Sequence, residues 1–165
     1  MKDEIRKRFE DHLTVLRLTG EHLPGRIAQA VETLVAAFRG GRGVLVFGNG
    51  GSAADAQHFA CELTGRFLAE RKALRAHALT TDTSILTAVA NDYGYERVFA
   101  RQIEACGSPG DVAIGISTSG HSPSVVAGLA TAREHGLKTI ALTGTGGGKC
   151  AEAADVLLDV PARST

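Results

Sequence analysis

The sequence predicts an α/β protein with helices on both faces of a five-stranded parallel sheet, a three-layer αβα sandwich with two helices ahead of its first strand. Two observations carry this prediction. Short, continuously apolar runs, Val44–Phe47 and Val112–Ile116, have the texture of strands buried on both faces. These runs alternate with segments of helical periodicity, as βαβ units require. The expected organisation is one domain over 1–165, with the N-terminal helices in 1–40 and the α/β core in 43–160. No linker, internal repeat or low-complexity stretch divides it.

Ile5, Phe9, Leu13, Leu16 and Leu18 recur between charges and predict an amphipathic helix over 2–19, stopped at Gly20. Ile27, Ala30, Val31, Leu34, Val35 and Phe38 predict a second helix over 25–39, ended by Gly40–Gly41. These helices would pack on the sheet or against another subunit. The first strand, 44–47, is followed by Gly48-Asn49-Gly50-Gly51-Ser52 and a helix over 53–67. A weaker strand is expected at 76–79, and helices at 83–92 and 94–106. The strand at 112–116 leaves through Ser117-Thr118-Ser119-Gly120-His121-Ser122 into a helix over 123–135. Strands at 139–142 and 156–158, separated by glycines and a short helix, complete the sheet.

Composition narrows the function classes. Lys+Arg and Asp+Glu are both 18, so no overall basic field directs the chain to nucleic acid or an anionic membrane. With no Trp and 5% aromatics, it offers no stacking platform for bases. The three cysteines, Cys61, Cys106 and Cys150, form no CxxC pair. This argues against a disulfide framework and a cysteine-based zinc site, and fits the cytoplasm. The charged N-terminus lacks the apolar core of a secretory signal, and no run is long enough to span a membrane. Glycine is abundant, 20 residues, and clusters at 40–51, 107–120 and 144–148.

Ligands of open parallel sheets bind outside the carboxyl ends of the strands. Two loops there suit an anion. Ser117, Thr118, Ser119 and Ser122 place four hydroxyls in six residues. Pro123 suits a first helical position, which puts Ser122 at the N-cap, where free N–H groups and the helix dipole converge. The loop has no Lys or Arg, so a single phosphate monoester fits better than a triphosphate with Mg²⁺. Gly48, Gly50 and Ala53 also satisfy a dinucleotide fingerprint, but the acidic residue that should end the next strand about 20 positions on has its counterpart only at Asp82, beyond Leu79 and roughly 30 positions on. The cluster Gly144–Gly148 fails the spacing of a P-loop and reads as a flexible turn.

His58 and Glu62 are four apart on the helix that opens at the first loop, with Asp55 one turn earlier on the same side. They read equally as a surface pair or as half of a divalent-metal site. Asn91-Asp92 reads first as a helix end and turn, and second as a holder of sugar hydroxyls.

Four segments carry a wider likeness: GNGGSAADAQHFACELTGRF (48–67), LTTDTSILTAVANDYGYERVFARQ (79–102), GDVAIGISTSGHSPSVV (110–126) and LTGTGGGKCAEAADVLLDVP (142–161). With them the chain resembles the sugar isomerase (SIS) domain family, and within it the phosphoheptose isomerases. The resemblance implies a flavodoxin-like sheet and a homotetramer with active sites between subunits. It implies conversion of sedoheptulose 7-phosphate to D-glycero-D-manno-heptose 7-phosphate in the bacterial cytoplasm, for ADP-heptose and lipopolysaccharide core precursors. Ser117, Thr118, Ser119 and Ser122 would hold the phosphate. Asn49, Gly50, Gly51, Ser52, Asn91 and Asp92 would contact the sugar. His58 and Glu62 would bind zinc, and Glu62 would transfer the proton. Family members continue into a helix with an Arg-Ile-Gln-Glu-x-His-type segment that brings a Gln and a second catalytic His. This sequence ends at Ala162-Arg163-Ser164-Thr165, so weak activity and an incomplete zinc site are expected. The alternative expectation is a non-catalytic sugar-phosphate-binding module, or one associated with the replication initiator.

Overall fold

Alternate residues of the apolar runs face opposite ways, and this decides which helices lie on which side. The computed structural model describes residues 1–162. Positions 163–165, the end of the expected domain, lie outside the described residues. The helices are α1 (Lys2–His22), α2 (Pro24–Arg39), α3 (Gly51–Thr64), α4 (Thr83–Tyr93), α5 (Val98–Cys106) and α6 (Pro123–Glu134). The strands are β1 (Val44–Gly48), β2 (Ala76–Ala78), β3 (Val112–Ser117), β4 (Lys138–Thr143) and β5 (Val156–Asp159). Short 3₁₀ turns occupy Tyr95–Arg97 and Gly148–Ala153.

The strands pair in the order β2-β1-β3-β4-β5, and every pairing is parallel. This is the flavodoxin-like order. Val44 and Val46 of β1 face one side, where Ala30 and Ala37 of α2 and Ala56 and Ala60 of α3 cover them. Leu45 and Phe47 face the other, against Val98, Phe99 and Ile103 of α5 and Val125 and Leu129 of α6. The expected three-layer sandwich is therefore observed. Small alanines on α2 and α3 let those helices lie close to the sheet.

Four boundaries depart from expectation, each for a local reason. Gly20 does not stop α1, which runs on to His22. An exposed helix tolerates a glycine at a cost of about 1 kcal/mol. The stop is Pro24, which has no N–H to continue the ladder and instead opens α2. Helix α3 spans 51–64 rather than 53–67, starting directly after Gly50 and giving way at Gly65. The helix expected at 94–106 is split, because Gly94 has φ +89 and cannot be helical. The chain re-enters helical geometry through the 3₁₀ turn and α5. β2 is a three-residue edge strand ending at Ala78, one residue short of Leu79. Among the described residues no helix is long and apolar enough to cross a membrane.

Candidate active site

β1 and β3 are neighbours, yet the chain leaves β1 toward β2 on one side and adds β4 and β5 on the other. At such a reversal the exit loops diverge and open a crevice at the carboxyl edge. Here those loops are residues 49–50 and 118–122, the two picked out by composition.

The first loop is a tight strand-to-helix connection in which Gly50 takes φ +56. It leaves Asn49 half-buried and pointing across the crevice. Asn49 Nδ2 donates to Ser122 Oγ at 2.8 Å and to Ser124 Oγ at 3.0 Å. Its Oδ1 accepts from the Tyr95 hydroxyl at 2.9 Å. One side chain thus ties together the exits of β1 and β3 and the turn after α4. Gly51 and Ser52 form the first turn of α3.

In the second loop Ser117 is buried at the end of β3, Thr118 and Ser119 are exposed, and Ser122 is half-buried. Ser119 Oγ accepts from the His121 N–H at 3.2 Å. Ser122 does occupy the N-cap position of α6, but its hydroxyl makes no capping bond. That hydroxyl is engaged by Asn49 instead, so no side chain caps the first turn of α6.

The third glycine cluster is no free turn. The Gly144 N–H donates to Thr118 O and the Cys150 N–H to Gly120 O, both at 2.9 Å. A Cβ built on Gly148 would stand 2.7 Å from the backbone of Gly120, and one on Gly120 would strike the Gly147 carbonyl. The cluster is a close-fitting seat for the Ser/Thr loop. Its partner lies more than 20 residues away in sequence, which is why composition alone shows only flexibility.

On α3, His58 Nε2 and Glu62 Oε1 are 3.8 Å apart, with His58 largely exposed and Glu62 less so. Cys61 joins them: one ligand atom from each of the three residues lies within 4.8 Å of the others. Asp55 is not in this group. A tetrahedral ion about 2 Å from an imidazole nitrogen and from a carboxylate oxygen would hold those atoms about 3.3 Å apart. The observed 3.8 Å is wider, so the pair would have to close slightly, by side-chain rotation, on an ion. Cys61 is a third candidate donor that the sequence reading did not place beside this pair. The spacing His58-x-x-Cys61 on a helix was the available signal.

Asn91 and Asp92 end α4, exposed, with Asn91 Nδ2 donating to Asp92 Oδ1 at 2.7 Å. It is Tyr95, not singled out from the sequence, that joins this segment to Asn49. Its turn is braced by Glu104, which accepts from Arg97 at 2.6 Å and from Arg101 at 2.9 Å. The hydrogen bond from Arg101 is the main reason the Glu104 carboxyl titrates below its ordinary value. Arg101 also lies over the Tyr93 ring, 5.6 Å from its centroid.

A parallel sheet in this order, with its loops at the reversal, defines an open α/β domain with its site at the carboxyl edge. The family model for the SIS domain matches residues 9–144. The phosphoheptose isomerase of Geotalea daltonii is 53% identical over 165 residues, all of this chain and 86% of that protein. That of Geobacter sulfurreducens is 52% identical over the same length, 87% of that protein. The solved phosphoheptose isomerase of Neisseria gonorrhoeae superposes with a TM-score of 0.94 at 43% identity, over 99% of this chain and 88% of that one. That of Francisella tularensis gives 0.94 at 39%, over 98% and 86%. The chain belongs to the phosphoheptose isomerase family of SIS-domain proteins, and is an enzyme of the aldose–ketose isomerase class.

Proposed function

We propose that the enzyme interconverts sedoheptulose 7-phosphate and D-glycero-D-manno-heptose 7-phosphate through an enediol, supplying bacterial ADP-heptose synthesis. The observation that carries this reading is the placement of Glu62 and His58 on α3, the helix that opens at the same crevice as the Ser/Thr loop. Ser117, Thr118, Ser119 and Ser122, with the uncapped first turn of α6, take the phosphate. Remote binding of this kind holds the reacting carbons in register. Asn49, Gly50, Gly51 and Ser52, with Asn91 and Asp92, face the sugar hydroxyls.

Glu62 removes the proton from C1 of the ketose and returns it to C2, so one carboxylate serves as base and then as acid, while the C2 oxygen takes up a proton from solvent and the C1 hydroxyl releases one. His58 orients Glu62 and, with it, would hold a zinc ion, to which Cys61 would offer a further donor. When bound, the ion supplies polarisation of the sugar carbonyl. The three free cysteines fit the reducing cytoplasm. A homotetramer is the proposed assembly, supported by the apolar residues that α1 leaves uncovered.

The test is deuterium incorporation at C1 of sedoheptulose 7-phosphate in D₂O, followed by NMR. Wild-type protein is expected to exchange, and Glu62→Gln to slow exchange by at least about a hundredfold. A Glu62→Gln variant that exchanges at the wild-type rate removes Glu62 from the proton path.

A further inference from the structure

We infer that Tyr95 is a positioning residue that sets the proton polarity of the Ser/Thr loop through Asn49. The inference rests on the phosphosugar reading above and adds a residue that touches neither the phosphate nor the sugar in that reading.

A carboxamide has one accepting end and one donating end. The Tyr95 hydroxyl meets the accepting end at 2.9 Å. A phenol is a better donor and a poorer acceptor than a serine hydroxyl, since its proton is far more acidic. Tyr95 therefore favours Oδ1 toward itself, and turns both N–H groups of Asn49 toward Ser122 and Ser124. Ser122 and Ser124 stand 3.3 Å apart, and Ser124 is buried. Buried Ser124, whose own oxygen accepts from Asn49, turns its proton to Ser122 Oγ; Ser122 then accepts from both and keeps its own proton to donate outward. A phosphate dianion only accepts, so it binds a loop whose hydroxyls present protons. With the amide reversed, Oδ1 would draw the serine protons inward and leave lone pairs facing the phosphate.

The position of Tyr95 suits this role. Its turn is clamped to α5 by Glu104 with Arg97 and Arg101. Its side chain is more than half exposed, so the hydroxyl contributes little to packing. Tyr95→Phe removes one hydrogen bond and leaves the ring in place.

The experiment measures inorganic phosphate binding by calorimetry, and steady-state kinetics with the sugar phosphate, for wild type and Tyr95→Phe. The expected result is about tenfold weaker phosphate binding and a similar rise in KM, at a kcat within about twofold and an unchanged Tm. Equal phosphate affinity in the two proteins overturns the inference. A wild type that binds no phosphate overturns the phosphosugar reading itself, a separate outcome. A second measurement does not depend on the variant's fold: the side-chain amide protons of Asn49, followed by NMR in wild-type protein. They are expected to shift as phosphate is added, and a pair that stays fixed at saturating phosphate overturns the relay.

Discussion

Gly120 has φ +67 and no room for a Cβ beside the Gly147 carbonyl. Gly146 has φ +81 but nothing within 4 Å. The two positions separate backbone strain from steric collision. Gly146→Ala is expected to cost about 1 kcal/mol, the strain alone. Gly120→Ala is expected to cost roughly 3 kcal/mol or more, because the collision is with backbone that has its own hydrogen bonds. Urea unfolding of both variants checks this, and equal losses would mean that the seat yields. Cys150 lies beneath the same loop, and burial raises its thiol from an ordinary 9.0 to about 11. Its pKa is raised in the folded state, so the stability it contributes is complete below pH 9 and is lost as pH rises through about 11. The loss amounts to about 2–3 kcal/mol. Lysines and tyrosines titrate in the same range, so the test is a difference: Cys150→Ala should show an alkaline decline smaller by that amount. The hydroxyl-rich loop was legible in the sequence, since four hydroxyls beside Gly120 and Pro123 are a local pattern. Its seat was not, because Gly147 and Gly148 acquire their purpose only from a contact across the fold. Tyr95 escaped for the same reason, since a tyrosine announces no such role without its neighbours in space.

Helix-to-sheet distance is set at the scale of elements by where side chains are missing. A Cβ on Gly115 of β3 would lie 2.9 Å from Val125 and 3.0 Å from Leu129, both on α6. One on Gly128 of α6 would lie 2.7 Å from the Phe47 ring, which is itself packed 5.2 Å from Phe99. These two glycines draw α6 onto the sheet and so set where its N-terminal turn meets the Ser/Thr loop. Alanine at Gly128 gains about 1 kcal/mol of helix propensity but overpacks a fully buried ring, at about 1–3 kcal/mol. The expected net effect is destabilising. Alanine at Gly20 of α1 meets nothing within 4 Å and should stabilise by up to about 1 kcal/mol. Opposite shifts in Tm for Gly128→Ala and Gly20→Ala are therefore predicted, and shifts of one sign would refute the assignment of close contact to Gly128. The strands and the alternation of layers were legible because buried parallel strands are apolar throughout. Helix ends were read less well, since Gly20 resembles a stop and Pro24 turns out to be one.

Leaving α1 uncovered is the main imbalance of the whole molecule. The helix has no buried residue, although its apolar side chains recur on one stripe. Ile5 is 53% exposed, Phe9 67%, Leu13 62% and Leu16 59%. Ile27, Val31 and Val35 of α2 repeat the pattern with a four-residue step and are also exposed. Scattered apolar residues on a surface need no explanation, but a stripe that runs the length of a helix is of the kind that marks an interface. In the proposed tetramer other copies of the chain cover it. The core of the protomer does not depend on α1, so charge can be placed on the stripe without unfolding the sheet. Phe9→Lys combined with Leu13→Lys is expected to convert the wild-type assembly to monomers in sedimentation equilibrium, with circular dichroism preserved. Folding coupled to assembly makes Tm rise with protein concentration, and that dependence should be present in wild type and absent from the double variant. Wild-type protein that sediments as a monomer across the same concentrations would refute the assembly and leave the stripe unexplained. A double variant that remains tetrameric would place the interface elsewhere. If the active sites lie between subunits, exchange at C1 should fall together with the tetramer fraction as the double variant is diluted, while each monomer keeps its sheet intact.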